Sequence, residues 1–312
     1  MAATSPRVEI LYFTDPFCSW CWALEPVLYR IKETYRDQVR VRTVMGGLVE
    51  DIANFLDAAN GISGTADVAP HWEHVAQVTG QPIDGRFMRE NTDPHWGTWP
   101  ACTAASTAAL QGPAQGEAYL RRLRRAAQAE GRNASDPAVY MAVAAEAEGL
   151  DLARFEADLA SGEGARAFQE DRILGARYGV RSFPTLIIHS LAPNEADRPL
   201  LVNGARDFDT LRQVLLRVDP SLEAQPIRSV PELLAAYGPL TTRELAELHG
   251  EATPATLEAL RADGVVRSIP VKGGEFWELG AAGPQAKPAR IQVVEVAAGE
   301  GLSCDLETGI CG

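Results

Sequence analysis

The chain is 312 residues long, 46% hydrophobic by count, with 29 basic against 42 acidic residues and a formal charge of −13. A mean hydropathy of −0.12 describes a globular protein of one large or two modest domains, and no apolar run reaches the length of a membrane span. The acidic balance argues against general binding to nucleic acid or anionic membranes, and five cysteines are too few for a disulfide-built scaffold.

Residues 1–7 contain no apolar signal core, so export is not supported and the cytoplasm is the expected compartment. Thiols are mostly kept reduced there, and a close cysteine pair reads as catalytic or regulatory. The apolar run 8–13 predicts a buried first strand, and directly after it come Cys18, Ser19, Trp20 and Cys21. The next stretch has Leu24, Val27, Leu28, Ile31 and Tyr35 on one face of a helical period, with Pro26 expected to kink it. A strand that delivers Cys18 to the first turn of a helix places it among unpaired N–H groups at the positive dipole end, which favours the thiolate. An ordinary thiol with a pKa near 8.5 is only about 3% ionised at pH 7, and one lowered to about 6 is roughly 90% ionised. The spacing assigns Cys18 as the exposed nucleophile and Cys21, one turn on, as the inward resolving thiol. A zinc site is disfavoured because no second close cysteine pair occurs in the main domain.

Residues 39–45 alternate as a second strand, and 185–188 and 200–202 form a third and fourth, followed by a helix with Leu211, Val214, Leu215 and Val218 on one face. Between the second and third strands lies an insertion, 49–178, whose Ala-rich segments are punctuated by glycines and predict several short helices.

A cysteine pair opening the first helix and Pro184 opening the late strand together resemble the thioredoxin superfamily, and the helical insertion resembles its DsbA group. Residues 15–22 (Asp-Pro-Phe-Cys-Ser-Trp-Cys-Trp), 45–48 (Met-Gly-Gly-Leu) and 179–185 (Gly-Val-Arg-Ser-Phe-Pro-Thr) are similar to the cytosolic FrnE-like proteins of that group. The resemblance covers about residues 8–220 and implies a thioredoxin-like α/β fold acting on protein thiols and disulfides, with a role in protection against oxidative stress. It also implies a cis Pro184 facing the cysteines, a Phe183 backbone free to pair with a bound peptide, and Trp20, Phe183 and Pro184 near substrate. Thioredoxins carry a buried carboxylate six residues before the first cysteine, where this chain has Tyr12. Asp15 and Glu25 are then the nearest acids, and solvated or capping roles are the ordinary reading of both. With no His or Lys between the cysteines, a less oxidising couple than the exported DsbA enzymes is expected.

Trp72, Trp96 and Trp99 read as packing for the insertion before they read as a peptide groove. His71, His74 and His95 read as surface or hydrogen-bonded residues, so no metal is expected, and Cys102 reads as a small buried residue. From Ser229 the texture changes: helices at 231–237, 243–249 and 254–262, with a Thr241–Glu244 capping box and Thr253 before the third, precede a hairpin of 265–271 and 275–279. Three helices and a hairpin predict a small winged-helix-like α+β module over 226–283. Its five basic and eight acidic residues favour a protein contact, with an oligomer allowed, over DNA.

Residues 284–312 are expected to hold a strand, 291–296, and then Cys304 and Cys311, read either as a second redox pair exchanging with Cys18 and Cys21 or as a plain dithiol. The expected organisation is thus a DsbA-type domain over 1–225, the module and this tail. The expected function is a protein disulfide oxidoreductase or isomerase that needs no cofactor, with protein substrates and a thiol reductant as partners. A protein-holding adaptor of the same fold is the alternative. An isomerase like the kappa-class glutathione transferases is a third reading, which Cys21 argues against because that group lacks the resolving cysteine.

Overall fold

The computed structural model describes residues 5–57, 61–192 and 198–282. A central four-stranded sheet has the order β2-β1-β3-β4, built from β1 (Val8–Thr14), β2 (Val39–Met45), β3 (Thr185–Ser190) and β4 (Leu200–Asn203). β1 runs parallel to β2 and antiparallel to β3, so it pairs on both sides. Every residue of β1 is buried, because both of its faces are covered. Val8, Ile10 and Tyr12 pack with Leu24, Leu28 and Ile31 of α1 (Ser19–Tyr35) and with Leu211 and Leu215 of α9 (Phe208–Val218). Leu11 and Phe13 turn to the opposite face, toward Leu174 and Tyr178. Helix α1 is continuous through Pro26.

The insertion forms α2 (Thr65–Thr79), α3 (Arg86–Glu90), α4 (Trp99–Ala109), α5 (Pro113–Arg124), α6 (Pro137–Glu146), α7 (Leu152–Ala160) and α8 (Glu163–Arg177). Its glycines act as sequence punctuation predicts: Gly80 ends α2 in the left-handed conformation that other residues enter only at a cost, and Gly162 begins α8 the same way. The insertion builds the largest core, joined by Phe17, Trp22 and Met45 from the sheet side.

The C-terminal elements are α10 (Val230–Tyr237), β5 (Leu240–Thr241), α11 (Thr242–His249), α12 (Thr253–Ala262), β6 (Val266–Val271) and β7 (Gly274–Leu279), with sheet order β5-β7-β6. This is the order of a winged helix, including the two-residue β5 that hydropathy alone does not reveal. The Thr241–Glu244 capping box is present. Thr253 differs from expectation, since Ala252 is the N-cap of α12 and the Thr253 hydroxyl donates to the Gly250 carbonyl instead. The expected strand at 291–296 and the cysteines at 304 and 311 lie outside the described residues.

The module packs on α1 and α5 through polar groups withdrawn from water. Arg121 donates to both carboxylate oxygens of Glu244 at 2.7 and 2.6 Å, and Gln81 donates to the same carboxylate at 3.1 Å while accepting from Thr241 at 2.7 Å. The rings of Trp22 and Phe276, themselves 6.3 Å apart, both face the Arg121 guanidinium, with their centres 4.8 and 5.6 Å from it. Nearby, buried Glu33 accepts from Arg228 at 3.0 Å and from Tyr237 at 2.7 Å. Removing one member of a buried pair strands the other charge. Glu244→Ala is therefore expected to cost about 3–5 kcal/mol, read as a lowered denaturant midpoint, whereas Arg261→Ala, which breaks only the exposed Arg261–Glu258 pair, should change it little.

Candidate functional site

Cys18 is the N-cap of α1: its extended backbone turns the chain out of the strand, and its sulfur accepts from the Cys21 N–H at 3.3 Å. The Cys18 thiol in turn reaches the Phe183 carbonyl at 3.6 Å, across 165 residues of sequence. The Phe183–Pro184 bond is cis, as the family resemblance implies. Antiparallel pairing of Phe13 with Thr185 fixes this meeting, since it sets the residues just after β1 opposite those just before β3.

Cys18 keeps 6% of its surface open and Cys21 none. The open part of Cys18 faces a groove of about 820 Å³ whose walls include Phe17, Trp20, Leu48, Phe55, Leu56, His71, Trp72, Met88, Trp96 and Phe183. The wall is mostly apolar, and Leu56 on its rim is 72% exposed. Trp72 and Trp96 both pack on Phe17, at 6.4 and 5.0 Å between ring centroids, and also line the groove, so packing and lining are one role here. Trp99 is not part of this wall: it packs edge-on to Phe168 at 5.6 Å, donates to the Gly47 carbonyl at 3.4 Å and has the Arg172 guanidinium 3.9 Å from its ring centre. Trp20 meets His71 at 6.5 Å on the groove wall, while His95 pairs with Asp51 at 2.9 Å. Among the described residues no cluster of potential metal ligands occurs.

The charge on the two thiols departs from the sequence expectation. Burial pushes the Cys18 thiol well above the ordinary cysteine value, and the hydrogen bond and charge of Cys21 add to it. Burial also opposes ionisation of Cys21, but the Cys18 thiol, the Arg124 guanidinium and the Thr14 hydroxyl together hold it below that value. The lowered thiol is thus Cys21 and not Cys18, because one N–H at the helix start does not outweigh desolvation, whereas the Cys18 thiol, the Arg124 guanidinium and the Thr14 hydroxyl together do. Ionisation of the pair is therefore easier at Cys21 than at Cys18, and only Cys18 opens on the groove.

Arg124 is the residue that sequence reading missed. It lies three and four residues from Ala127 and Leu120, on the apolar stripe of its helix, which was the available signal. Its guanidinium pairs with Glu25 and with the Thr14 hydroxyl, and Tyr12 donates to the Cys21 carbonyl at 3.0 Å. Asp15 is a structural hub. It accepts from the Phe17 and Leu48 N–H groups at 2.8 and 2.7 Å, from Thr98 at 2.6 Å and from the Cys102 thiol at 3.3 Å. Cys102 is accordingly buried against Asp15, as a small core residue. The Met45–Leu48 segment supports the far wall: Gly46 lies under the Phe183 ring, where an added Cβ would come within 1.9 Å of it.

A family model described as "Thioredoxin" matches residues 11–213. Relatives named ClpXP adapter protein SpxH share 29% identity over 278 residues in Shouchella clausii (87% of this chain, 88% of the relative) and 27% over 276 residues in Bacillus subtilis (87% and 89%). Among solved structures, the cytosolic disulfide reductase DsbM from Pseudomonas aeruginosa is 25% identical with a TM-score of 0.50, covering 67% of this chain and 98% of that one. A Nitrosomonas europaea structure, given the working description of a protein disulfide isomerase, is 25% identical with a TM-score of 0.54, covering 67% and 96%.

Two outcomes follow for the groove wall. Gly46→Ala should displace the Phe183 ring and lower stability by about 1–3 kcal/mol, read as a drop in Tm. Asp171 accepts from the Met45 N–H at 2.9 Å, and burial raises its pKa from 3.8 to about 6 against the pull of that N–H and Arg42. A carboxyl raised on folding contributes stability that is full below its unfolded pKa and lost as pH rises through about 6. Asp171→Asn should therefore flatten the fall in stability between pH 4 and pH 7 by up to about 3 kcal/mol, measured as urea midpoints at the two values.

Proposed function

Since the chain belongs to the thioredoxin family, we propose that it is a cytosolic client-binding adaptor that takes an apolar segment of another protein into the Cys18 groove and presents it to a ClpXP-type protease. The observation that carries this reading is the reach of the adaptor relatives. Their similarity takes in 87% of the chain, which requires much of the C-terminal module, whereas the DsbM likeness takes in 67%. The module is the part a plain disulfide reductase does without, and its acidic, ion-paired attachment to α1 and α5 suits a protein contact. The groove supplies the other half of an adaptor, an exposed apolar rim over a preformed cleft.

The geometry of the dithiol favours a second activity in the same groove, thiol-disulfide exchange on bound protein. The Cys18 thiolate would attack a client disulfide, forming a mixed disulfide and expelling one client thiolate. The Cys21 thiolate would then attack the Cys18 sulfur, releasing the second client thiol and leaving the Cys18–Cys21 disulfide, with two electrons passed to the client. A low-molecular-weight thiol would return the pair to its reduced form; starting instead from the Cys18–Cys21 disulfide, the same steps run backward oxidise a client dithiol and leave the pair reduced, and a low-molecular-weight disulfide would restore it. Trp20 and Phe183 flank the attacking sulfur, Pro184 shapes the loop that carries Phe183, and Cys304 and Cys311 are candidates for a second redox pair.

Purified ClpXP, the full chain and captured client proteins separate the readings. The adaptor reading predicts client degradation at least about fivefold faster with the chain present, equally for wild type and Cys18→Ser, and loss of the effect in Leu56→Asp, where a charge is set on the apolar rim. Client turnover indifferent to the chain would overturn it. The exchange reading predicts insulin reduction by wild type, none by Cys18→Ser, and trapped mixed disulfides in Cys21→Ser; an inactive wild type would remove it.

A further inference from the structure

Pro26 costs α1 one hydrogen bond. It has no N–H to give the Trp22 carbonyl four residues back, and its ring crowds that oxygen. The side-chain amide of Gln81, in the segment after α2, supplies the missing donor at 3.3 Å. Gln81 is only 1% exposed, and its neighbour Pro82 accepts from the Trp22 indole at 3.0 Å, so this segment holds Trp22 by both backbone and ring. The same Gln81 Nε2 donates to Glu244 Oε1 at 3.1 Å, and the Gln81 Oε1 accepts from the Thr241 hydroxyl at 2.7 Å. Thr241 is the N-cap of α11; its oxygen accepts from the Glu244 N–H at 3.1 Å, which leaves its proton for Gln81. Turning the amide over would set its oxygen against a carbonyl and a carboxylate, so only this orientation satisfies all three neighbours.

On its other side Trp22 donates its N–H to the Cys18 carbonyl at 3.0 Å. Hydrogen bonds therefore run from the residue that opens on the groove, through Trp22 and Gln81, to the cap of a helix in the C-terminal module. We propose that Gln81 is a positioning residue that couples the Cys18 turn to the module, so that modification of the groove sulfur changes how firmly the module is held and a partner on the module changes the groove in return. Coupling of this kind is reciprocal. The starting displacement is local: with only 6% of Cys18 exposed, a group added to its sulfur has to shift the turn that carries it. Other polar attachments of the module bypass that turn. Arg30, in the middle of α1, meets Glu247 at 3.0 Å, and Lys272, between β6 and β7, meets Asp84 at 3.3 Å. The coupling deepens the adaptor reading and rests on it for its use, since it would join the half that holds a client to the half that suits a protein contact.

The test follows backbone amide hydrogen exchange over residues 240–249 of the full chain, before and after Cys18 is alkylated with iodoacetamide, and again with the pair closed to its disulfide by oxidised glutathione. Either change to wild type should speed exchange there at least about fivefold, the low end of ordinary coupling between sites. Gln81→Met, which keeps the length and removes the amide, should cut that response to less than about twofold. Pro26→Ala, which returns a helical N–H to the Trp22 carbonyl and suits the helix better, should weaken it too and keeps the test open if Gln81→Met does not fold. Lys272→Ala, which breaks an attachment away from the turn, should leave the response intact. Wild-type exchange indifferent to alkylation overturns the proposal, and so does an undiminished response in Gln81→Met or, where that variant does not fold, in Pro26→Ala. The alkylation readout stands even if the disulfide never forms, a result that would end the exchange reading separately, and it needs no protease, so the adaptor reading can fail in the ClpXP assay while the coupling holds.

Discussion

The contact between Cys18 and the Phe183 carbonyl is the constraint around which the molecule is arranged. Its two partners are 165 residues apart, and the distance is closed by pairing β1 with β3 while the whole helical insertion loops out between β2 and β3. Because β1 is buried on both faces and paired on both edges, the residues that follow it have little freedom, and the cysteine that caps α1 inherits that rigidity. The groove is then built by what surrounds this fixed point: the 45–48 segment held by Asp15, the aromatic cluster of Phe17, Trp72 and Trp96, and the loop that carries Phe183.

The same placement explains the electrostatics. A thiol at a helix start in water would ionise easily, but this one is set in an apolar wall, and desolvation outweighs the helix. Ionisation is easier at the inner sulfur, where the hydrogen bond from Cys18 and the charge of Arg124 favour it. The arrangement favours ionisation at the sulfur closed to water and opposes it at the one that opens on the groove. It serves a protein that must hold a client without indiscriminate thiol chemistry, and equally one that exchanges disulfides with the segment it binds.

Much of this was legible in the sequence. Hydrophobic periodicity located β1, β2, β3 and β4 to within two residues and the buried faces of α1 and α9, because these elements bury a regular face, and the Thr241–Glu244 box marked α11 because capping is a local interaction. The cis Phe183–Pro184 bond followed from the resemblance alone. What escaped was set by tertiary neighbours. Thr253 has the residue type of an N-cap, yet its hydroxyl turns back to Gly250 and Ala252 begins the helix. Arg124 sits in a run of four arginines spanning 121–125, which reads as a solvated face until packing shows two of them, Arg121 and Arg124, turned inward to Glu244 and Glu25. The lowered thiol moved from Cys18 to Cys21 for the same reason, since burial and a distant arginine leave no mark in the local spacing of the two cysteines.

The central claim is that one sulfur opens on the groove and the other is sealed behind it. Brief alkylation of the reduced, folded chain, with each cysteine quantified by peptide mass spectrometry, tests this directly. The account predicts that Cys18 is modified well ahead of Cys21 and Cys102 in the folded protein and that the three become equivalent on denaturation. Equal modification of Cys18 and Cys21 in the folded chain, or a Cys18 as unreactive as Cys102, would contradict it.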